Sequence, residues 1–201
     1  RDSDGLADMG KDLQDRARAA MFSLGATYPE LSGYYPQPKG LLFPAFLSVQ
    51  NLSGIYSPFT IEANYNSAMV SYNLPFTICH ELSHLRGFMQ EEEANFIGFL
   101  ACVNADDTAF NYSGYLLGWI YATNELYEVD YDTFEEIYNR LSDNVKADLS
   151  ANSSFWKRYD SKVAEVSGQI NDHYLKANGQ SDGIKSYDRM VDLMITWFRS
   201  K

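Results

Sequence analysis

Apolar residues recur at intervals of three and four along most of this chain, a spacing that predicts a mostly helical fold. Leu6, Met9, Leu13, Ala17, Ala20, Met21 and Leu24 follow it across residues 4–25, which predicts an amphipathic helix there. A loop rich in Pro, Gly and Tyr comes next, "YPELSGYYPQPKG" (28–40). The period then changes. Segment 41–72 is β-branched and aromatic, with short alternations. In "IEANYN", Ile61, Ala63 and Tyr65 fall on one face and Glu62, Asn64 and Asn66 on the other. Two or three short strands are expected in this segment, with Pro58 marking an edge or a break.

Helical spacing resumes at "NLPFTICHELSHLRG" (73–87), where Asn73 is placed to cap, Pro75 suits the first turn and Gly87 ends the helix. Further helices are expected over 91–104, within 110–129 and over 132–143, where Asp132 and Glu135 have capping-box spacing. Two more follow, a long one over 153–179 stopped by Asn178–Gly179 and a last one over 186–199. No repeat, low-complexity tract or linker interrupts the pattern. The expectation is one domain over 1–201, α+β and mostly helical, with a small sheet preceding the 73–87 helix.

Composition narrows the function classes. The chain has 201 residues, 45% apolar and 21% charged, which is a globular balance. A net charge of −11 repels phosphate backbones and argues against nucleic-acid binding. The 15 Tyr, 12 Phe and 3 Trp suit a boundary between core and water. No stretch approaches the ~20 apolar residues of a membrane span. Cys79 and Cys102 are either free buried thiols or one bridge, the bridge only if the domain is exported.

The chemistry is concentrated in "HELSHLRGFMQEEEAN" (80–95). On a helix, positions i and i+4 lie on one face, so His80 and His84 can present ring nitrogens to one metal ion. Glu81 sits about 100° around the helix from His80, placed to reach water activated at the metal without being a ligand. Zinc in such a site brings the pKa of water to roughly 7, and a neighbouring carboxylate can take the proton. That is the logic of metal-assisted amide hydrolysis. Two histidines on a solvated face would be the bland alternative, and the apolar "NLPFTIC" before them fits it poorly.

The third ligand should be one of Glu91, Glu92 and Glu93. Gly87 permits a sharp reversal that folds the next helix beside the first. Glu91 shares a small, polar stripe with Ala94, Asn95, Gly98 and Cys102, which allows close approach to the HELSH helix. Glu92 shares its stripe with Phe96, Phe99 and Val103, and Glu93 lines up with Ile97 and Leu100. Glu91 is therefore the expected ligand, with Asn95 one turn on to hydrogen-bond a ligand.

HExxH followed by E-x-x-A-N resembles the zincin metallopeptidases whose third ligand is a glutamate in an E-x-x-A-[DN] helix. More closely, "LPFTICHELSHLRGFMQEEEANFIGFLAC" and "NDHYLKANGQSDGIKSYDRMVDL" are similar to a bacterial family of uncharacterised, membrane-anchored zincin-like proteins. The resemblance covers roughly residues 53–199. It implies a zincin-like fold, Zn2+ at His80 and His84, Glu81 as catalytic base, and a domain outside the cytoplasm. It also implies a membrane anchor formed by a segment absent from this chain. The Gly87 turn is similar to that of HExxHxxGxxH enzymes, but Gln90 stands where their third histidine would be, which favours Glu91.

Other residues carry weaker signals. Tyr187 and Arg189 in "SYDRM" could stabilise an oxyanion, or could pack and pair with a carboxylate. His173 fits a core or surface role better than catalysis. The "IEANYN" strand could bind an extended peptide by strand addition, or simply complete the sheet. Taken together, the expectation is a zinc-dependent metallopeptidase acting on a peptide or protein. A non-catalytic extracytoplasmic binding domain with a structural zinc is the competing class, and Glu81 favours the enzyme. The oligomeric state is left open.

Overall fold

The structure, a computed structural model, describes residues 1–160, 165, 169 and 189–201. Those residues are mostly helical with one three-stranded sheet, an α+β arrangement. The chain runs α1 (Leu13–Thr27), β1 (Lys39–Gly40), α2 (Pro44–Val49), β2 (Gly54–Ser57), β3 (Glu62–Tyr65), α3 (Asn73–His84) and α4 (Glu91–Val103). It continues through α5 (Thr108–Val129), α6 (Tyr131–Asn139), α7 (Asp143–Lys157) and, after the undescribed stretch, α8 (Arg189–Arg199). No described helix is long and apolar enough to cross a membrane.

Helix α3 is the centre of the packing, touching α1, α4, α5, β2 and β3. Nearly all of its residues are buried, so its backbone donors must be satisfied from inside the protein. They are. Asn73 N donates to Val70 O and Leu74 N to Ser71 O; Pro75 has no donor; Phe76 N donates to Ser113 Oγ of α5 at 3.1 Å. The Ser113 hydroxyl in turn donates to Tyr72 O. The expected cap at Asn73 is thus replaced: Tyr72 occupies the cap position without a side-chain bond, and Asn73 spends its amide on Val70 O and on Asn152 of α7.

Helix α4 lies against α3 along the small-residue stripe. A Cβ added at Gly98 would sit 3.2 Å from Phe76 O and 3.3 Å from His80 N, so the two backbones approach closely there and any larger side chain would push them apart by a few tenths of an ångström. Gly87 makes the reversal with φ +89°, a value that favours glycine. Asp107 begins α5 by accepting from Ala109 N and Phe110 N, and its carboxylate also holds Arg16 of α1 in a two-pronged ion pair.

Several expected elements shift. The 4–25 helix begins only at Leu13, because Gly5, Gly10 and Asp12 take left-handed φ values. Ala7 and Met9 are still buried, in an extended segment held by Asp148, which accepts from Ala7 N, Arg1 and Tyr112. Pro44 opens a short helix, α2, where strands were expected. Ile61 lies in the β2–β3 turn at φ +54°, exposed, so it does not share the buried face of Ala63 and Tyr65. Asp130, not Asp132, caps α6 by accepting from Thr133. Ser142 starts a separate helix, α7, at residue 143. The first part of the helix expected over 153–179 belongs to α7, which begins ten residues early and ends at Lys157; of the remainder only 158–160, 165 and 169 are among the described residues.

In the sheet, β3 is central, parallel to β1 and antiparallel to β2. "IEANYN" is therefore flanked on both sides over Asn64 and Tyr65, and the strands with an outer edge are β1, only two residues long, and β2.

Candidate metal centre

His80, His84 and Glu91 converge. One ligand atom from each lies within 4.8 Å of the others. His80 Nε2 is 3.2 Å from His84 Nε2 and 3.3 Å from Glu91 Oε2. Ligands held tetrahedrally at the ~2.0–2.1 Å of zinc–nitrogen and zinc–oxygen bonds are about 3.3–3.4 Å apart. The two distances from His80 Nε2 match that spacing, and two imidazoles with one carboxylate are a donor set suited to zinc.

The His84 ring is aimed by its other nitrogen. His84 Nδ1 lies 2.7 Å from Phe88 O, so Nδ1–H donates to that carbonyl and Nε2 is left free for the cluster. The carbonyl is in place because the chain reverses at Gly87. His80 Nδ1 is buried, as is the amide nitrogen of Asn95, and neither atom has a hydrogen-bond partner. Asn95 adjoins His80 and favours its protonated form. With its oxygen toward His80, the amide accepts from Nδ1–H and again leaves Nε2 for the cluster. The Tyr56 ring packs at 5.9 Å from that of His84.

The three glutamates separate cleanly. Glu91 joins the cluster, as the stripe argument expected. Glu92 is buried and pairs with Arg189 of α8 at 3.0 Å. Glu93 is exposed at the helix start, where the macrodipole favours a negative charge. Arg189 thus pairs with the carboxylate next to Glu91 in sequence. Tyr187 and His173 lie outside the described residues.

Glu81 is buried beneath β2. A Cβ added at Gly54 would stand 2.3 Å from its Oε1, so the strand rests directly on the carboxyl. Burial raises the Glu81 pKa to about 8, Glu91 adds to the rise, and His80 opposes it. His80 is itself raised to about 8: burial lowers it, but the bond and charge of Glu91, with Glu81 and Asn95, outweigh that. His84 moves the other way, to about 4, through burial and the neighbouring His80.

Sequence reasoning missed Gly54, Tyr56 and the Phe88 carbonyl. The first two come from a strand distant in sequence, and nothing local marks them.

The comparisons with known proteins give a family but no activity. A family described as "Protein of unknown function (DUF3810)" matches residues 1–195, nearly the whole chain. The chain belongs to that family. No curated protein and no solved structure matches it.

Proposed function

We propose that this DUF3810 member is a zinc-dependent metallohydrolase of zincin-like fold, most plainly a peptidase. The observation that carries the reading is the convergence of His80 Nε2, His84 Nε2 and Glu91 within 4.8 Å of one another, beside a buried glutamate outside that group. His80, His84 and Glu91 would hold the ion. A zinc ion there supplies Lewis acidity, which acidifies water and polarises a carbonyl. Glu81 takes and holds the proton at its carboxyl; burial raises its pKa to about 8 in the ion-free protein, and a dication beside it would restore the carboxylate that acts as base. Phe88 O and Asn95 orient the two imidazoles. The outer edge of β2, which passes over Glu81, is where an extended peptide would pair its backbone, and Tyr187 and Arg189 remain proposed oxyanion stabilisers. The same reading has the domain outside the cytoplasm and anchored through a segment beyond this chain, and it invokes no nucleic acid.

The competing reading, a binding domain with a structural zinc, needs no base. Glu81→Gln separates the two. On the enzymatic reading the variant keeps its zinc by elemental analysis and loses hydrolysis of peptides, selected from a library with the wild type, by ~10²-fold or more. A wild type that holds zinc and cleaves nothing in that library would favour the binding domain.

A further inference from the structure

The chain's two cysteines were dispersed in sequence, and the fold brings them together. Cys79 is on α3, directly before His80, and Cys102 is on α4, one turn beyond Gly98. Both are free, fully buried thiols in the same core cluster. The contact at Gly98 presses the α4 backbone onto Phe76 and His80; Cys79 directly precedes His80, and Cys102 is one turn beyond Gly98, so both lie within a turn of that contact. The two helices that carry them, α3 and α4, are packed directly against each other. A cysteine that merely fills core space has no reason to meet the chain's other one across a helix pair.

We propose that Cys79 and Cys102 form a disulfide in an oxidising compartment, tying the helix that carries His80, Glu81 and His84 to the helix that carries Glu91 and Asn95. Close helix approach is what a disulfide requires, since its Cα atoms must come within about 4.4–6.8 Å. Taking oxidised glutathione as oxidant, the Cys102 thiolate attacks one glutathione sulfur and releases one glutathione. The Cys79 thiolate then attacks the Cys102 sulfur of the mixed disulfide, forming the Cys79–Cys102 bond and releasing the second. Two protein thiols are oxidised, one glutathione disulfide is reduced to two thiols, and the two protons end on the departing glutathiones. Burial raises the Cys102 pKa, so thiolate is scarce in the folded protein and the bond forms while the chain folds or opens. The closed loop, residues 79–102, encloses the whole candidate metal centre.

The test is independent of the metal reading. The unmodified chain is unfolded with reductant, refolded with a mixture of reduced and oxidised glutathione, trapped by alkylation and digested without reduction. Mass spectrometry should find a peptide pair joined through Cys79 and Cys102, with no alkylatable thiol left. Adding reductant should lower the melting temperature by on the order of 10 °C, the effect of opening a loop of this length. In Cys79→Ala, Cys102 should appear as a mixed disulfide or a free thiol, and reductant should leave its melting temperature unchanged. Two free thiols in refolded protein, or glutathione on each cysteine without a crosslinked pair, would overturn the proposal.

Discussion

Zinc binding should be strongly pH-dependent, with a midpoint set by His80. The ring must be neutral to offer Nε2, and in the ion-free protein its pKa is about 8. Binding therefore weakens as pH falls through 8, by about tenfold, or ~1.4 kcal/mol, for each unit. At pH 6 only about 1% of the rings are neutral, so the His80 proton alone should weaken affinity ~10²-fold relative to the plateau above pH 8. Glu81 also holds its proton to about pH 8, and a dication beside it expels that proton, so the slope should lie between one and two. His84, at about 4, adds nothing in this range. The assay is competition with a chelator of known proton affinity from pH 5.5 to 8.5, with proton release followed in a weak buffer. A flat affinity between pH 6 and 8, or a fall centred near pH 4, would refute the assignment of Glu91 as the group that holds His80 protonated.

Three further outcomes follow from single contacts. Glu91→Gln should lower zinc affinity by several orders of magnitude, while Glu93→Gln, at an exposed helix start, should change stability by only ~0.3–1 kcal/mol and leave zinc in place; the same chelator competition reads both. Gly54→Ala should destabilise the protein by ~1–3 kcal/mol in urea unfolding, because its Cβ would fall on Glu81 Oε1; a neutral result would mean β2 is free to lift from the carboxyl. Asp107→Ala should cost ~2 kcal/mol at pH 7, through the lost α5 cap and the Arg16 pair. The Asp107 pKa is lowered, its bonds from Arg16, Phe110 and Ala109 outweighing burial, so this stability is present above the ordinary carboxylate pKa and lost as pH falls through the lower folded value. Thermal melts of wild type and variant should therefore converge in acid.

The site was legible because its residues are close in sequence and sit on helices. Helical spacing alone brought His80 and His84 together, and the stripe of Ala94, Asn95, Gly98 and Cys102 told Glu91 from its neighbours. What surrounds the site was not legible, since it depends on distant contacts. Gly54 meets Glu81, and Ser113 serves the buried start of α3, only after the chain has folded. The same limit misplaced the first helix: Leu6 and Met9 keep a helical spacing, but Gly5, Gly10 and Asp12 take backbone angles no helix has. Aromatic residues in 41–49 read as strand, whereas Pro44 starts a helix that leaves Leu42, Phe43 and Phe46 exposed. Glu92 lies on a core-facing stripe, and its pairing with Arg189 needed the last helix to be placed.

The three candidate ligands fall between residues 80 and 91. Bringing them together closes a short loop, whose entropic cost in an unfolded chain is small compared with that of a site gathered from distant segments. A partly unfolded chain can therefore gather the same two imidazoles and carboxylate around an ion. Any affinity for the unfolded ensemble subtracts from the stabilisation that the ion gives the folded state. Saturating zinc should accordingly raise the melting temperature by less than its affinity for the native protein implies. Contacts so local form early in folding, and the ion can then act as a nucleus that docks α4 on α3 before the sheet closes over Glu81.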